Sequence, residues 1–550
     1  MKNKITQQSK LLAKSKVLFI ALLAVVFIIV FLQNAWVVDD AYITFRTVDN
    51  AVRGYGFTWN TFERVQVYTH PLWMLLMTVI YFFTREAFYT VLVISLICCL
   101  GVLFVAYRIW GQKELLKLSF FTLALIASKT FMDYTSSGLE YPLLYLLLAV
   151  FYGSFLFRKK VTWSGKDLSF YSLIAFLSYC TRQDCILLFI APIFYIVLKV
   201  AQSRGNYEAG KSLFLGMVPA ICWHIFSIIY YGFPFPNTAY AKSMTQGVTY
   251  TAYLQTGYEF IKTSIFWDSF AWIVIITAIV ACTVSKDRKA QIVSIGVVFY
   301  LLYIGFFAAI ATHMSGRFIG IPFLLALFIL NKTIRSRRLL SVYLGVIFIF
   351  TFTSSVAPIK ANTFWYKIKP GGFDTRAVVC SEGACLVNIV RGKPLPDHQW
   401  FLKGETFRYS QEVMQVGGGN SAGGIGYFGY TAGPKKIIID PLGLADPLLA
   451  RIAIDFDTIW QPGHFSRHIP EGYYESVRRQ ENLIHDSDLQ EYYGKIKEIT
   501  QGDLLSWSRI KTIYEMNTGR YSEKIEKYNK RRKIQRQAEL IQSKGNVKFF

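Results

Sequence analysis

The chain has 550 residues, of which 53% are hydrophobic, and it carries a formal net charge of +24. Several apolar stretches approach the roughly 20 residues that a helix needs to cross a bilayer, so most of the chain is not a soluble protein. The basic surplus lies mainly in short loops and in a C-terminal tail. This distribution is typical of membrane topology and argues against nucleic-acid binding, which needs a soluble basic domain.

The N-terminal segment Lys2–Lys16 is basic, and it precedes an apolar run that lacks a small-residue cleavage site. This pattern predicts an uncleaved signal anchor whose N-terminus is cytoplasmic. Five later loops are short and basic, which predicts that they are cytoplasmic as well. These loops are Arg108–Lys117, Arg158–Lys166, Lys199–Lys211, Ser285–Lys289 and Asn331–Arg338.

The apolar segments between these loops predict a polytopic α-helical membrane protein with about eleven transmembrane helices. The predicted spans lie near residues 17–36, 87–108, 118–132, 140–157, 168–181, 185–199, 212–231, 267–284, 290–311, 317–330 and 339–357. The segment 70–83 breaks the alternation of sides, so we expect it to dip into the outer leaflet. An odd number of spans puts everything after about residue 358 outside the cytosol. We therefore predict a transmembrane domain at 1–357 and an outer domain at 358–550 with a basic tail at 521–550.

Asp39 and Asp40 follow the first predicted span directly, at the start of an outer loop that covers residues 37–70. Adjacent carboxylates at a membrane surface repel each other and lose hydration, so the pKa of one should rise unless a cation neutralises both. Either residue could instead cap the helix predicted at 41–52. A cap accounts for one aspartate and not for two, and both functions are compatible. The pair is our candidate for a catalytic base.

The predicted outer domain combines strand-like and helical patterns, which indicates a small α/β domain. Short strands are expected at 377–380, 425–430 and 436–440. Cys380 and Cys385 lie close in sequence on the side of the membrane where disulfides persist, so we expect them to pair.

Several motifs along the chain resemble those of one enzyme family. They include DDAYITFRTVDNAVRGYGFTWN from Asp39, TSSGLE at 135–140, TRQD at 181–184, PNTAYAK at 236–242, GIGYFGY at 424–430, DPLGLADPLLAR at 440–451 and GHFSRHIPEGY at 463–473. In this order they resemble bacterial arabinofuranosyltransferases that use a polyprenyl-phosphate arabinose donor. Gln183 stands where the family's turn has proline.

The resemblance implies the glycosyltransferase-C (GT-C) architecture, in a bacterial inner membrane with the active site on the periplasmic face. It implies a polyprenyl-phosphate sugar donor and a cell-envelope glycan or pilin acceptor. In the expected inverting displacement, Asp39 or Asp40 takes the acceptor proton while cations hold the departing phosphate. The expected substrate-binding residues are Tyr42, Arg46, His70, Glu140, Arg182, Asp184, Asn237, Lys242, His313, Arg317, His464 and Arg467.

Three alternatives stay open at this stage. Arg46, Arg182, Lys242 and Arg317 are the candidates for the phosphate, but each could equally be a surface anchor that reaches lipid headgroups. No metal is required for the displacement, although the aspartate pair could hold a divalent cation. A lipid-linked-glycan transporter or a non-catalytic assembly scaffold would also be polytopic, but a transporter should carry ionisable groups near the bilayer midplane.

Overall fold

The computed structural model describes residues 2–111, 113–243, 250–306, 316–361, 374–381, 383–389, 395–417, 424–454 and 465–545. Within these residues the chain is mostly helical, with one two-stranded parallel sheet. The helices from the N-terminus to residue 243 are α1 (Lys2–Asn34), α2 (Asp39–Val52), α3 (Pro71–Thr84), α4 (Phe88–Trp110), α5 (Leu115–Ala127), α6 (Lys129–Thr135), α7 (Tyr141–Phe157), α8 (Gly165–Thr181), α9 (Ile186–Arg204), α10 (Asn206–Tyr231) and α11 (Asn237–Ser243).

The remaining helices follow in two groups. The apolar group is α12 (Tyr250–Trp267), α13 (Ser269–Val284), α14 (Arg288–Phe306), α15 (Gly320–Thr333) and α16 (Arg337–Thr353). The C-terminal group is α17 (Thr375–Ser381), α18 (Gln399–Tyr409), α19 (Ile425–Ala432), α20 (Tyr473–Arg479), α21 (Ser487–Gln501), α22 (Trp507–Asn517) and α23 (Ser522–Gly545).

Six described helical segments are long and apolar enough to cross a bilayer, and two bent helix pairs raise the number to eight if each pair is one span. Three further apolar helices, α3, α7 and α15, have 14–17 residues, fewer than the roughly 20 that a straight span needs. The prediction of a multi-pass helical membrane protein is therefore confirmed. The count of eleven spans stays a prediction.

The two bent pairs share one carboxylate. The first pair bends by 76° between α5 and α6 at Ser128, and the second by 107° between α12 and α13 at Asp268. Asp268 Oδ2 accepts hydrogen bonds from Ser128 Oγ at 2.6 Å and from the backbone N–H of Thr130 at 2.8 Å, while Oδ1 caps α13 through the N–H of Ala271 at 2.9 Å. One buried side chain thus satisfies the backbone donors that both breaks expose.

The chain forms two compact units that are discontinuous in sequence. Unit 1 consists of Met1–Val38, Glu86–Ala220 and Leu254–His398, and unit 2 of Asp39–Arg85, Ile221–Tyr253 and Gln399–Phe550. This division differs from the predicted domains at 1–357 and 358–550. The difference arises because the residues after Val38 pack with segments near the C-terminus, so sequence neighbours belong to different units.

Unit 2 contains the sheet and a core of its own. Strand β1 (Met414–Val416) pairs in parallel with β2 (Ile437–Ile439), with Met414 opposite Ile437. Core side chains come from the second and third segments of the unit, including Phe233, Leu449, Leu489 and Ile496. The strand expected at 436–440 is therefore confirmed as β2.

Two other expected strands are wrong. Residues 377–380 lie in helix α17, and residues 425–430 lie in helix α19. In α19 the glycines allow a close approach, because a Cβ on Gly426 would stand 1.8 Å from the backbone oxygen of Asp39. A Cβ on Gly429 would stand 2.9 Å from the ring of Trp59. Tertiary packing of this kind overrides the strand propensity of an aromatic and glycine-rich run.

The segment that precedes Asp39 is fixed within unit 1. Cys380 and Cys385 form the predicted disulfide, with their Cα atoms 4.8 Å apart. The adjoining backbone bonds to the end of the first span, since Leu386 N–H donates to the Ala35 carbonyl at 2.9 Å. Val38 N–H donates to the Ser137 carbonyl at 2.9 Å. These contacts fix the backbone directly before the acidic pair.

Candidate active site

Asp39 and Asp40 form the first turn of α2, where the partial positive charge of a helix N-terminus favours carboxylates. Both side chains are partly exposed. The carboxylate of Asp39 accepts hydrogen bonds from two backbone N–H groups at the start of α19, that of Tyr427 at 2.7 Å and that of Gly426 at 3.2 Å. Asp39 therefore caps a helix that is remote in sequence.

The surroundings of Asp39 change the pKa of its carboxyl group. Removal from water raises the pKa of Asp39 to about 7, although the N–H group of Tyr427 lowers it, and the negative charge of Asp40 raises it further. This bears out the expectation that one pKa of the pair rises. A carboxyl with a pKa of about 7 is partly protonated at neutral pH.

Arg46 and Tyr42 stabilise unit 2 from the same helix. The Arg46 guanidinium is buried, stacks on the Trp59 ring at 4.6 Å, and donates to the carbonyls of Trp59 at 2.7 Å, Lys436 at 2.8 Å and Gly429. The ring of Tyr42 packs edge-to-face against four aromatic rings, those of Phe45, Phe401, Tyr427 and Tyr430. These bonds give Arg46 a structural role, and its expected contact with the phosphate stays a prediction.

Other expected site residues of unit 2 are also bonded to the backbone. Asn237 donates to three carbonyls of the 443–446 turn and accepts from Arg451 at 3.1 Å. Arg467 is buried and donates to the carbonyls of Ala241 at 2.5 Å and Ile452 at 3.2 Å. These contacts hold the PNTAYAK loop in place. The substrate contacts expected of Asn237 and Arg467 stay a prediction.

Four more residues were expected at the site. His70 is buried, and its Nε2 lies 2.9 Å from Thr44 Oγ1. Lys242 is exposed near the end of α11. His313 and His464 lie outside the described residues.

Four expected residues of unit 1 form one charged cluster. Arg182 contacts Glu140 Oε1 at 2.7 Å and Asp184 Oδ2 at 2.7 Å. Arg317 lies 3.7 Å from the same Glu140 oxygen, and both guanidinium groups reach the Tyr141 hydroxyl, at 3.0 Å from Arg182 and 3.1 Å from Arg317. The Thr135–Glu140 loop and the Thr181–Asp184 turn, matched separately in the sequence, therefore meet.

Sequence reasoning missed a second buried cluster in unit 1. The Lys129 ammonium lies 2.6 Å from Asp133 and 2.8 Å from Asp374, and Arg376 Nε lies 3.9 Å from Asp133. All four side chains are almost fully buried. The spacing of Lys129 and Asp133, one helical turn apart, was the available signal. No signal in the sequence indicated that Asp374 and Arg376 belong to this cluster.

Buried carboxyl groups in unit 2 were missed as well. Burial raises the pKa of Glu63 to about 8, and the charge of Asp446 raises it further. Burial also raises the pKa of Asp446 to about 7 and that of Asp440 to about 6. Among the described residues no group of three or more His, Cys, Asp or Glu side chains is arranged to hold a metal ion.

No known family model matches the chain. Over 244 residues it is 26% identical to the terminal β-(1→2)-arabinofuranosyltransferase of Mycobacterium tuberculosis. This chain is similar to a glycosyltransferase. The match covers 40% of this chain and 38% of that enzyme, so the chain spans less than half the length of the relative that it matches.

A solved structure also aligns with this chain. It is ArnT from Cupriavidus metallidurans bound to undecaprenyl phosphate, with 14% sequence identity and a TM-score of 0.45. The alignment covers 79% of this chain and 76% of ArnT. A TM-score of 0.45 does not establish that the two chains share a fold.

Proposed function

We propose that this protein is a membrane glycosyltransferase that moves a pentose, D-arabinofuranose, from a polyprenyl-phosphate donor to an acceptor outside the cytosol. The acceptor class is a cell-envelope glycan or a glycoprotein such as pilin. The observation that carries the proposal is the acidic pair at the first turn of α2, in which Asp39 is held by backbone N–H groups and has a pKa of about 7. The similarity to an arabinofuranosyltransferase supports the reaction class.

The proposed reaction is a direct displacement. The acceptor hydroxyl attacks the anomeric carbon, the bond from that carbon to the phosphate oxygen breaks, and the configuration inverts. We assign the acceptor proton to Asp40, the second carboxylate of the pair. Asp39, in the first turn of α2, holds the start of α19 through its two N–H bonds. The departing phosphate leaves with the bonding electrons and needs cations.

Arg182 and Arg317 are the proposed cations for that phosphate, with Lys242 as a third. The two guanidinium groups share Glu140 and Tyr141, so their planes are fixed before a ligand arrives. Fixed donors stabilise developing charge better than mobile ones, because no reorganisation is required during the reaction. One arginine can also donate two parallel hydrogen bonds to two oxygens of the same phosphate, whereas lysine acts as a point charge.

The proposed architecture is GT-C, with about eleven spans in a bacterial inner membrane and a periplasmic C-terminal domain. The charge of the loops supports this orientation. A periplasm-active reporter fused after Ser410 should be active, and one fused after Lys160 should be inactive. The reverse pattern would overturn the orientation.

Purified full-length protein in lipid nanodiscs, incubated with radiolabelled polyprenyl-phosphate arabinose and glycan acceptors, tests the proposal. Label should move to the acceptor, and Asp40→Asn should reduce the rate by about 10²–10⁴-fold. Asp503→Asn, which changes an exposed aspartate of unit 2, is the matched control and should transfer at the wild-type rate. Failure to transfer from any arabinose donor would refute the donor sugar, and a normal rate for Asp40→Asn would refute the base.

A further inference from the structure

A cavity of about 630 Å³ lies in unit 2 and plays no part in the proposed reaction. Its volume falls within the roughly 300–1,000 Å³ typical of small-molecule sites. Among the residues that the structure describes, five basic side chains and no carboxylate line it. These side chains are Arg53, Arg85, Arg408, Lys435 and Lys436. We call this site the basic cavity.

The basic cavity lies where three helices end. Val52 ends α2, Arg85 follows the last residue of α3, and Gly433 follows the last residue of α19. A purely structural role for these cations would be to complement the partial negative charge at helix C-termini. Three such termini amount to about −1.5 charges, at roughly −0.5 each, against five positive side chains. The helix ends therefore leave a positive excess.

The carboxylates nearby neutralise only one of these cations. Asp49 pairs with Arg53 at 2.7 Å. Asp49 and Glu405 line an adjacent cavity of about 170 Å³, which shares Arg53 and Arg408 with the basic cavity. In the described part of the chain, Arg85, Arg408 and Lys435 form no ion pair. The positive excess therefore faces the basic cavity.

Two cations of the site are fixed in position. The Lys436 side-chain nitrogen donates to the carbonyls of Ser410, at 2.8 Å, and Glu412. Arg85 lies over the ring of Phe82 at 5.4 Å and reaches the carbonyl of Val52 at 3.4 Å. Fixed cations lose little conformational entropy when an anion binds.

The surface beside the basic cavity is apolar. Helix α3 has 14 residues and no charged side chain, and it ends at the cavity. Near this end Val79 is 61% exposed and Phe83 is 78% exposed. A helix of 14 residues is about 21 Å long and too short to cross a hydrocarbon core of about 30 Å. A helix that exposes apolar side chains and is followed by basic residues is typical of the bilayer interface.

We propose that the basic cavity binds the phosphate headgroup of an anionic phospholipid while the end of α3 lies among its acyl chains. Charge complementarity identifies the headgroup, because the cavity offers cations without competing carboxylates. The exposed face of α3 identifies a lipid as its source and not free phosphate. The bound lipid would fix unit 2 at the membrane surface, a role that is separate from the transfer reaction.

The test measures the affinity of full-length protein, in an uncharged detergent, for short-chain phosphatidylglycerol, short-chain phosphatidylcholine and inorganic phosphate. Phosphatidylglycerol should bind, and the other two should bind at least 10-fold more weakly. The triple variant Arg85→Gln, Arg408→Gln and Lys435→Gln should bind phosphatidylglycerol on the order of 100-fold more weakly, at roughly 5-fold per cation near an anionic membrane surface. The charge-retaining variant Arg85→Lys, Arg408→Lys and Lys435→Arg should bind within about 5-fold of wild type.

The matched control is the variant Arg478→Gln, Arg479→Gln and Lys511→Gln, which removes three exposed charges of unit 2 outside the cavity. It should bind phosphatidylglycerol like wild type. Equal weakening in both glutamine variants would overturn the proposal, because net charge would then be the cause. Equal affinity for inorganic phosphate, or wild-type binding by the cavity variant, would also overturn it. The thermal unfolding temperature of each variant shows that lost binding is not lost folding.

Discussion

Asp39 Oδ1 accepts a hydrogen bond of 2.7 Å from the backbone N–H of Tyr427, which lies 388 residues later in the chain. With Gly426 donating to Oδ2, both oxygens of this carboxylate hold the start of α19. The two members of the acidic pair should therefore respond differently to substitution. Asp39→Asn replaces one acceptor oxygen with an amide NH₂ group and leaves a backbone N–H unpaired. This loss costs about 1–3 kcal/mol.

Asp40→Asn keeps the size of the side chain and should slow transfer by about 10²–10⁴-fold. Thermal unfolding and the initial rate of sugar transfer, measured on the same preparations, separate the two effects. The assignment of the base to Asp40 fails if Asp39→Asn loses transfer while it keeps the wild-type unfolding temperature.

Glu63 should give unit 2 an unusual pH dependence. Burial raises its pKa to about 8 from an ordinary value near 4.5, so the folded state holds a proton that the unfolded state has lost. This contribution to stability is full below about pH 4.5 and is lost as the pH rises through about 8. The free energy of unfolding should therefore fall between these values, by up to roughly 1.4 kcal/mol per pH unit for one proton.

Glu63→Gln keeps the shape of the protonated side chain and removes the titration. This variant should show a shallower fall and should be more stable than wild type at pH 8. Glu481→Gln, at an exposed position, is the control and should keep the wild-type slope. Chemical unfolding at pH 5, 6, 7 and 8 provides the measurement, and an unchanged slope in Glu63→Gln would show that Glu63 is ionised when folded.

The sequence predicted those features that depend on local pattern. Apolar length predicts the helices of unit 1, and the short spacing of Cys380 and Cys385 predicts their disulfide. The cluster of Glu140 and Arg182 was also within reach, because the two loops were placed on one side of the membrane before their contact was known.

Features that depend on distant partners were not predictable in this way. Arg46 has the sequence signature of an exposed loop cation, yet carbonyls almost 400 residues away take up its donors. The sequence of α19 favours a strand, and the close approach of Asp39 to Gly426 was not visible in it. In each case a tertiary contact decides the role of a residue whose local sequence favours another.

Asp268 should be a stability determinant of unit 1, because it connects two helix breaks. Asp268→Ala removes three hydrogen bonds to a buried group and leaves the N–H groups of Thr130 and Ala271 without their acceptor. Each unpaired buried donor costs about 1–3 kcal/mol. Ser128→Ala removes one of the three bonds and the longer N-cap bond from Phe131 N–H at 3.2 Å, and should cost less. Thermal unfolding in detergent checks the order, and an equal loss in both variants would contradict it.

The two arginines of the unit 1 cluster should separate into a structural and a substrate-binding role. Arg182 contacts both Glu140 and Asp184 at 2.7 Å, whereas Arg317 lies 3.7 Å from Glu140. Removal of one partner from a buried ion pair costs about 3–5 kcal/mol, so Arg182→Gln should lower the unfolding temperature and the amount of folded protein. Arg182→Lys should recover little of this loss, because an ammonium cannot reproduce the forked contacts of a guanidinium.

Arg317→Gln should lower the unfolding temperature less than Arg182→Gln does, since Arg182 has two ion pairs at 2.7 Å and the contact of Arg317 with Glu140 is 3.7 Å. If this guanidinium binds the donor phosphate, the variant should raise the KM for the polyprenyl-phosphate donor or lower kcat, and Arg317→Lys should recover part of the activity through its charge. Steady-state kinetics with varied donor, beside thermal unfolding, measures both effects. A stable Arg317→Gln variant with wild-type kcat and KM would remove Arg317 from the donor site and leave Arg182 and Lys242 as the remaining cations.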